Sequence, residues 1–342
     1  MSKFKRLNLT VKPNTLDNLL HEYISGHAPS RSSAAVSCNV SKVTSGKVAD
    51  ALIDCGFMES KIFSKGNERP SSHLLFHDRS SILIFDLSTS IYKMCVVNPT
   101  GEILLSLSHI YDPEVSFEDN LNIFISRNGL KLKNSKLEFA AISVLYADDF
   151  HHSRLEQRVS FLPSISLCGY IEEVILTVLG KKVSSHLTLS SSISEAVKFK
   201  AIDLSVGHGG ISSIFIGSRL SSFHVYENGS ATICSPENIL SREEIANITN
   251  IRLTSKEKSD SLFVKISDFM DAAFSPDILL LSSDILTPDI ETAEMISRKF
   301  TLNGRSAPII YTRNDTFPLQ YIGAARHALL PVIKKYITSN KT

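Results

Sequence analysis

The sequence contains five cysteines, and no two of them form a closely spaced C-x-x-C pair. This odd set is spread along the whole chain, as Cys38, Cys55, Cys95, Cys168 and Cys234. Disulfide frameworks and cysteine-rich zinc sites both need paired or clustered cysteines. Their absence argues against both classes and is typical of a protein that works in the reducing cytoplasm.

Long apolar runs are also absent. No run approaches the roughly 20 residues that span a bilayer, and the first ten residues, MSKFKRLNLT, lack the apolar core of a secretory signal. Hydrophobic residues make up 43% and charged residues 21% of the 342 residues, an ordinary balance for a soluble globular protein. We therefore expect a cytoplasmic protein of two or three domains that has no membrane contact.

The net charge is only +1, but the charge is unevenly distributed. Residues 1–80 contain 11 Lys and Arg against 7 Asp and Glu, a net charge of +4, whereas the remaining residues have a net charge of −3. A basic head on a mildly acidic body favours contact between the head and nucleic-acid phosphates. A chance imbalance in a small domain would give the same numbers, so charge alone leaves both interpretations open.

Residues 14–58 have the pattern of three short helices. Apolar residues at helical spacing predict the first over 15–25, and a second short helix follows over 31–37. A third helix is predicted from a capping serine, Ser41, through Asp54, with one apolar stripe along it. Its C-terminal end is marked by a glycine, as is common for helices.

A β-hairpin with a basic tip is predicted directly after these helices, over residues 57–77. A short helix, a tight turn and a second helix with a polar leading edge form a helix-turn-helix, whose second helix enters the major groove of DNA. The hairpin is then the wing. The residues predicted to contact DNA are Arg31, Ser41, Lys42, Thr44, Ser45, Lys47, Lys65 and Arg69. The alternative is a three-helix cap whose charges are merely solvated.

From Ser80 onwards, short apolar β-rich segments alternate with helical segments, which indicates an α/β body. The predicted strands lie near 81–88, 91–98, 102–110, 138–146, 198–206 and 277–286. The predicted helices lie near 116–128, 170–180, 240–249, 259–274, 288–299 and 318–337.

The third helix and the hairpin resemble those of a known family of regulators. Residues 40–56, VSKVTSGKVADALIDCG, resemble the recognition helix of the ROK (repressor, open reading frame, kinase) family, which reads approximately L-S-R-x-T-V-S-x-L-V-x-x-L-I-x-x-G. Gly66, Arg69 and Pro70 resemble the wing of that family. The resemblance implies that the head reads a DNA sequence.

The body contains weaker matches to the same family. Residues 85–89 (FDLST) with 97–104 are similar to the first phosphate hairpin of the actin-like ATPase fold, and 206–210 (VGHGG) to its second phosphate loop. Residues 276–283 and the Gly-Ala-Ala of 323–325 match two further segments. The resemblance implies that degenerate nucleotide or ligand loops would contain Asp86, Gly207, Gly209 and Gly210.

These matches predict an α/β fold with two parts. A winged helix-turn-helix is expected over residues 1–78, followed by a two-lobed, actin-like ATPase (RNase H-like) fold over 79–342. One lobe is expected at about 79–190 together with the C-terminal helix, and the other at 191–317.

The catalytic residues of the family are missing from this sequence. Ser190–Ser192 stand where the family has the catalytic aspartate of N-D-A, and a serine hydroxyl cannot serve as the general base near neutral pH. The sugar-binding E-x-G-H segment is absent near 231–236, and so is the C-x-C-G-x-x-G-C zinc loop. Ser88 and Ser282–Ser283 replace glycines beside the nucleotide. We therefore expect no catalytic residue, no metal and no cofactor.

One further polar cluster resembles a metal site in composition only. It consists of Asp148, Asp149, His151 and His152. Because it falls in what reads as a polar loop, we interpret its side chains as solvated.

The predicted function is that of a sequence-specific DNA-binding regulator, a repressor, whose kinase-like body has no catalytic activity. The resemblance implies a homodimer or a dimer of dimers on a palindromic double-stranded operator, with a sugar or sugar phosphate as effector. Two alternatives remain at this point: a sugar kinase with an N-terminal accessory domain, and a non-catalytic protein-interaction module.

Overall fold

The structure, a computed structural model, describes residues 9–25, 30–63, 71–87, 91–112, 114–146, 167–189, 210–216, 220–226, 230–234, 240–241, 243, 256–283 and 288–338. The helices are α1 (Pro13–Ser25), α2 (Arg31–Ser37), α3 (Lys42–Asp54), α4 (Phe117–Asn134), α5 (Leu167–Leu179), α6 (Lys256–Phe274), α7 (Ile290–Leu302) and α8 (Arg313–Ile337). The strands are β1 (Met58–Phe63), β2 (Ser71–Phe76), β3 (Ile82–Asp86), β4 (Ile91–Val97), β5 (Ile103–Ile110), β6 (Ala141–Tyr146), β7 (Ser185–Leu189), β8 (Ile211–Ile216), β9 (Leu220–Val225), β10 (Ala231–Cys234), β11 (Ile278–Ser282) and β12 (Ile309–Tyr311).

Two of the three N-terminal helices, α2 and α3, begin directly after the serines that cap them. The Ser30 side chain accepts a hydrogen bond from the Ser33 amide (3.1 Å), which caps α2. Ser41 Oγ accepts from the Thr44 amide (3.0 Å) and caps α3. Gly56 follows α3 with a φ of +84°, the left-handed conformation that glycine adopts without strain. The three predicted helices are therefore confirmed.

The hairpin after α3 is also confirmed. β1 and β2 form a two-stranded antiparallel sheet in which Met58 pairs with Phe76 and Phe63 with Ser71. The tip that joins these strands, with Lys65 and Arg69, lies outside the described residues.

The body contains two five-stranded sheets of the same topology. Their strand orders are β5-β4-β3-β6-β7 and β10-β9-β8-β11-β12. In the first sheet β3 pairs antiparallel with β4 and parallel with β6. In the second, β8 pairs antiparallel with β9 and parallel with β11. This repetition gives the two lobes that the sequence predicts. The predicted strand at 198–206 and most of the predicted helix at 240–249 lie outside the described residues.

A single hydrophobic core joins the N-terminal helices to the first sheet. Leu19 of α1 and Leu52 of α3 belong to the same buried cluster as Ile84 of β3 and Leu329 of α8. The backbone amide of Leu9 also donates to the carbonyl of Ile337 at the end of α8 (2.9 Å). The head is therefore packed on the body through the C-terminal helix.

The five cysteines are all free thiols. Among the described helices, none combines the length and the apolar character needed to cross a membrane.

Candidate nucleic-acid interface

The basic edge of α3 is exposed. Its buried stripe contains Val48 and Leu52, both with no exposed surface, so the rotation of the helix is fixed by the core. Lys42 and Lys47 are exposed, as predicted. Ser41 is exposed as well, and its Oγ lies 2.9 Å from Thr44 Oγ1. On this surface the two lysine side chains are long enough to reach phosphate oxygens or guanine acceptors.

Ser45 does not belong to this surface, so the prediction that it contacts DNA is wrong. It is fully buried, and its hydroxyl donates to the Arg31 carbonyl (2.7 Å). The Tyr23 hydroxyl lies 2.6 Å from Ser45 Oγ, and burial raises the pKa of this tyrosine above its ordinary value. Ser45 thus ties α1 and α2 to α3 from inside the head.

Arg31 is engaged within the head. Its guanidinium forms an ion pair with Asp50 of α3, and the arginine side chain is 42% exposed. The pair fastens α2 to α3 across their surface and neutralises a carboxylate beside the exposed lysines. A direct contact of Arg31 with DNA stays a prediction, as do those of Lys65 and Arg69 in the hairpin tip.

Sequence reasoning missed an exposed apolar residue on α3. Val43, in the first turn of the helix, is 69% exposed. Gly46 follows it three residues later, and among the described atoms a Cβ added there would meet only Arg31 Cδ, 3.9 Å away. The sequence could have predicted its exposure, because Val43 falls outside the apolar stripe that faces the core.

Asp86, the predicted remnant of the first phosphate loop, lies at the end of β3. It is 4% exposed, and its Oδ2 accepts a hydrogen bond from the hydroxyl of Tyr321 (3.0 Å). Tyr321 belongs to α8 and is fully buried. Burial and the neighbouring Asp86 charge raise the pKa of this tyrosine well above its ordinary value, which keeps the phenol a hydrogen-bond donor. The sequence offered no signal for this pair.

The turn between β4 and β5 is covered by the same helix. Arg326 Nε donates to the carbonyl of Pro99 (2.9 Å), and burial lowers the pKa of Arg326 to about 10. Gly101 has a φ of +100°, and a Cβ added there would lie 2.5 Å from Ile322 Cγ1. Helix α8 therefore packs directly on the hairpin that resembles the first phosphate loop.

Gly210, the described residue of the second predicted loop, is explained by packing. Its φ is +77°, and a Cβ added there would meet the Val225 carbonyl and lie 2.9 Å from His224 Nε2. Its own carbonyl accepts from the amides of Asp277 and Ile278 (3.0 and 3.3 Å). Gly207 and Gly209 lie outside the described residues.

Three further sets of sequence-level candidates also fall outside the described residues: Ser88, Ser190–Ser192, and the cluster of Asp148, Asp149, His151 and His152. Within the part of the chain that the structure describes, no group of three or more His, Cys, Asp or Glu side chains could hold a metal ion.

Comparison with known proteins identifies similar structures but no similar sequence. No protein-family model and no curated protein matches the chain. A crystal structure of a ROK family transcriptional regulator, described as a homologue of the E. coli MLC protein, superposes with a TM-score of 0.57 and 13% identity, over 94% of this chain and 99% of that chain. The inorganic polyphosphate/ATP-glucomannokinase of Arthrobacter sp. strain KM gives a TM-score of 0.46 and 13% identity, over 74% and 99%.

The chain shares the fold of that ROK family regulator along nearly its whole length. The predicted mixed α/β architecture with a two-lobed, actin-like body is confirmed. The three helices and the hairpin of the head fit the winged helix-turn-helix that the sequence predicts.

Proposed function

We propose that this chain is a ROK family transcriptional regulator that binds a specific double-stranded DNA sequence through α3. In this proposal residues 1–78 form the winged helix-turn-helix. Residues 79–342 form a non-catalytic effector and dimerisation domain, in which one lobe is residues 79–190 with the C-terminal helix and the other is 191–317. The observation that carries the proposal is the exposure of Lys42 and Lys47 on a helix whose opposite side is locked in a core.

The rigidity of the head supports DNA reading. A recognition helix must hold its side chains in register with base edges and phosphates. Helix α3 is fixed by its cap at Ser41, by the buried Ser45 hydroxyl and by the Arg31–Asp50 ion pair. These contacts hold the backbone of α3 from its first turn to Asp50, so the lysines project from a fixed helix.

The environment of Asp86 supports a body without phosphotransferase activity. In actin-like kinases an aspartate at this place acts on the metal-bound phosphates, so it needs open access to the nucleotide. Here the carboxylate is 4% exposed and is hydrogen-bonded by Tyr321 from α8. A second argument comes from the sequence, in which serines replace the family's catalytic aspartate.

The proposed localisation, oligomeric state, operator and effector rest on the resemblance to the ROK family. We expect a cytoplasmic repressor that assembles as a homodimer or a dimer of dimers. A two-fold dimer requires a palindromic operator with half-sites one or two helical turns apart. A sugar or sugar phosphate is the expected effector.

A selection experiment tests DNA reading. The full chain is incubated with a random-sequence duplex library, and the bound duplexes are sequenced. We expect wild type to enrich a palindromic sequence and Lys42→Ala with Lys47→Ala to lose this enrichment. The matched control replaces two exposed body lysines, Lys131→Ala with Lys133→Ala on α4, and should select the same sequence as wild type. Absence of any enriched sequence would overturn the proposal.

A kinase assay tests the non-catalytic body. The chain is incubated with Mg-ATP and a panel of hexoses, and phosphorylated sugar is measured. We expect no turnover above background. Turnover that is lost in Asp86→Ala would show instead that the protein is a sugar kinase with an accessory head.

A further inference from the structure

The apolar side chain of Val43 does not pack in the hydrophobic core. It is 69% exposed in the first turn of α3, away from the stripe of Val48 and Leu52 that packs in the core. On a helix, residues three and four apart are neighbours, so Val43 lies beside Gly46 and Lys47. A β-branched side chain in water on a rigid helix contributes nothing to the core.

Gly46 is the second unused feature of this surface. Glycine in a helix interior is less stable than alanine, and among the described residues nothing would obstruct a Cβ there, since Arg31 Cδ is 3.9 Å away. Packing inside the chain therefore does not require glycine at this position. The missing side chain leaves a shallow notch beside Val43.

The polar neighbours of the notch are already engaged. The hydroxyls of Ser41 and Thr44 lie 2.9 Å apart, and Ser41 Oγ also caps the helix. Ser45 is buried in the head. The exposed first turns of α3 therefore present an apolar branched side chain and a bare backbone, flanked by Lys42 and Lys47.

We propose that Val43 is a base-specificity determinant that contacts the C5-methyl group of a thymine in each half-site. The inference rests on the proposed DNA-binding function and deepens it. The C5-methyl is the apolar group that distinguishes thymine in the major groove. Because Gly46 has no side chain, the methyl group has room to lie beside Val43, and the flanking lysines bind phosphate or guanine.

Replacing thymine by deoxyuridine tests this contact, because it removes the methyl group and retains every hydrogen-bonding atom. Each thymine of the duplex selected by wild type is replaced in turn, and the dissociation constant is measured. Burial of one methyl group predicts about a fourfold loss of wild-type affinity at one position in each half-site. In Val43→Ala the shorter side chain should make the affinity depend less on the methyl group at that position.

The matched control is Val36→Ala, which truncates a comparably exposed valine of α2 (79%, against 69% for Val43). It should retain the wild-type loss with deoxyuridine. Equal deoxyuridine sensitivity in wild type and Val43→Ala, or no sensitive position in wild type, would overturn the inference while DNA binding stands. If wild type selects no duplex at all, the proposed function itself fails and the inference fails with it.

Gly46→Ala provides an independent measurement. The added methyl should fill the notch, so binding to the thymine duplex should weaken more than binding to the deoxyuridine duplex. The thermal unfolding midpoint should stay equal or rise, because alanine favours the helix. Equal effects on both duplexes would contradict a methyl group seated beside Gly46.

Discussion

At the scale of single residues, Ser45 shows how a polar side chain can belong to an apolar stripe. Positions 45, 48, 49 and 52 have the i, i+3, i+4, i+7 spacing of one helical face. This spacing puts Ser45 on the buried face of α3, which the prediction that Ser45 contacts DNA overlooked. In the structure that hydroxyl pairs with the buried Tyr23 hydroxyl and donates to the half-buried Arg31 carbonyl.

We expect Ser45→Ala to destabilise the head. The change removes the hydroxyl that donates to the half-buried Arg31 carbonyl and pairs with the buried Tyr23 hydroxyl, at a cost of about 1–3 kcal/mol. The free energy of unfolding in urea measures it. Lys47→Ala, on the exposed side of the same helix, is the control for helix effects and should leave the free energy of unfolding nearly unchanged. Unchanged unfolding of Ser45→Ala would contradict the buried role.

We also expect stability to fall on acidification because of His224. Its ring stacks on Phe274, with the ring centroids 4.6 Å apart, and its Nδ1 lies 3.0 Å from Ser212 Oγ. Burial lowers the pKa of this histidine below its ordinary value of 6.5. The unfolded chain then binds the proton more tightly than the folded chain, so stability is full above about pH 6.5 and falls as pH decreases through the window below it.

Urea unfolding at about pH 7.5 and about pH 5.5 measures this effect. His224→Gln keeps a hydrogen-bonding side chain towards Ser212 without a titrating ring, so its stability should depend less on pH. The pKa of His186 is also lowered by burial, so the stability of the variant should still depend on pH to some extent through that residue. An equal loss in wild type and His224→Gln would show that this ring is not responsible.

At the scale of elements, the predictions hold where local patterns are strong. The caps at Ser30 and Ser41 and the glycine after α3 mark their helices in the sequence. By contrast, α4 runs to Asn134, beyond its predicted end at 128, because Gly129 lies against Val178 of α5 and continues the helix. This helix–helix contact is not visible in a local sequence pattern.

Several strands of the second lobe were not predicted, for a similar reason. β8, with the sequence ISSIFI, carries buried Ser212 and Ser213, so its segment lacks a continuous apolar run. β12 has three residues and is defined by parallel pairing with β11. In both cases pairing with distant segments, and not local propensity, decides the structure.

Helix α8 connects the head to the body, and we expect Tyr336→Ala to loosen that connection. The rings of Tyr336 and Phe57 pack edge to face with centroids 5.8 Å apart. An aromatic pair of this kind contributes about 0.5–1.5 kcal/mol beyond its buried area. Amide hydrogen exchange in α1 and α3 should therefore become faster. Lys335→Ala, exposed on the same turn, is the control and should leave the exchange unchanged. Equal exchange in wild type and Tyr336→Ala would contradict the coupling.

At the scale of the whole molecule, the two-lobed body was predictable from weak motifs that occur in the right order along the chain. The closure of the Asp86 site was not, because Tyr321 is 235 residues away in sequence. Nor was the shared core of head and body, which depends on α8 reaching back to α1 and α3. Both features depend on where the last helix packs.

The central claim is that α3 binds DNA through its exposed lysines, and the salt dependence of binding tests it most directly. The affinity of the full chain for its selected duplex is measured at several salt concentrations. Each phosphate contact contributes about 0.9 to the slope of log K against log salt. We predict strong, salt-sensitive binding by wild type, and weaker binding with a smaller slope for Lys42→Ala with Lys47→Ala. Salt-independent binding, or an unchanged affinity and slope in the double variant, would contradict the account.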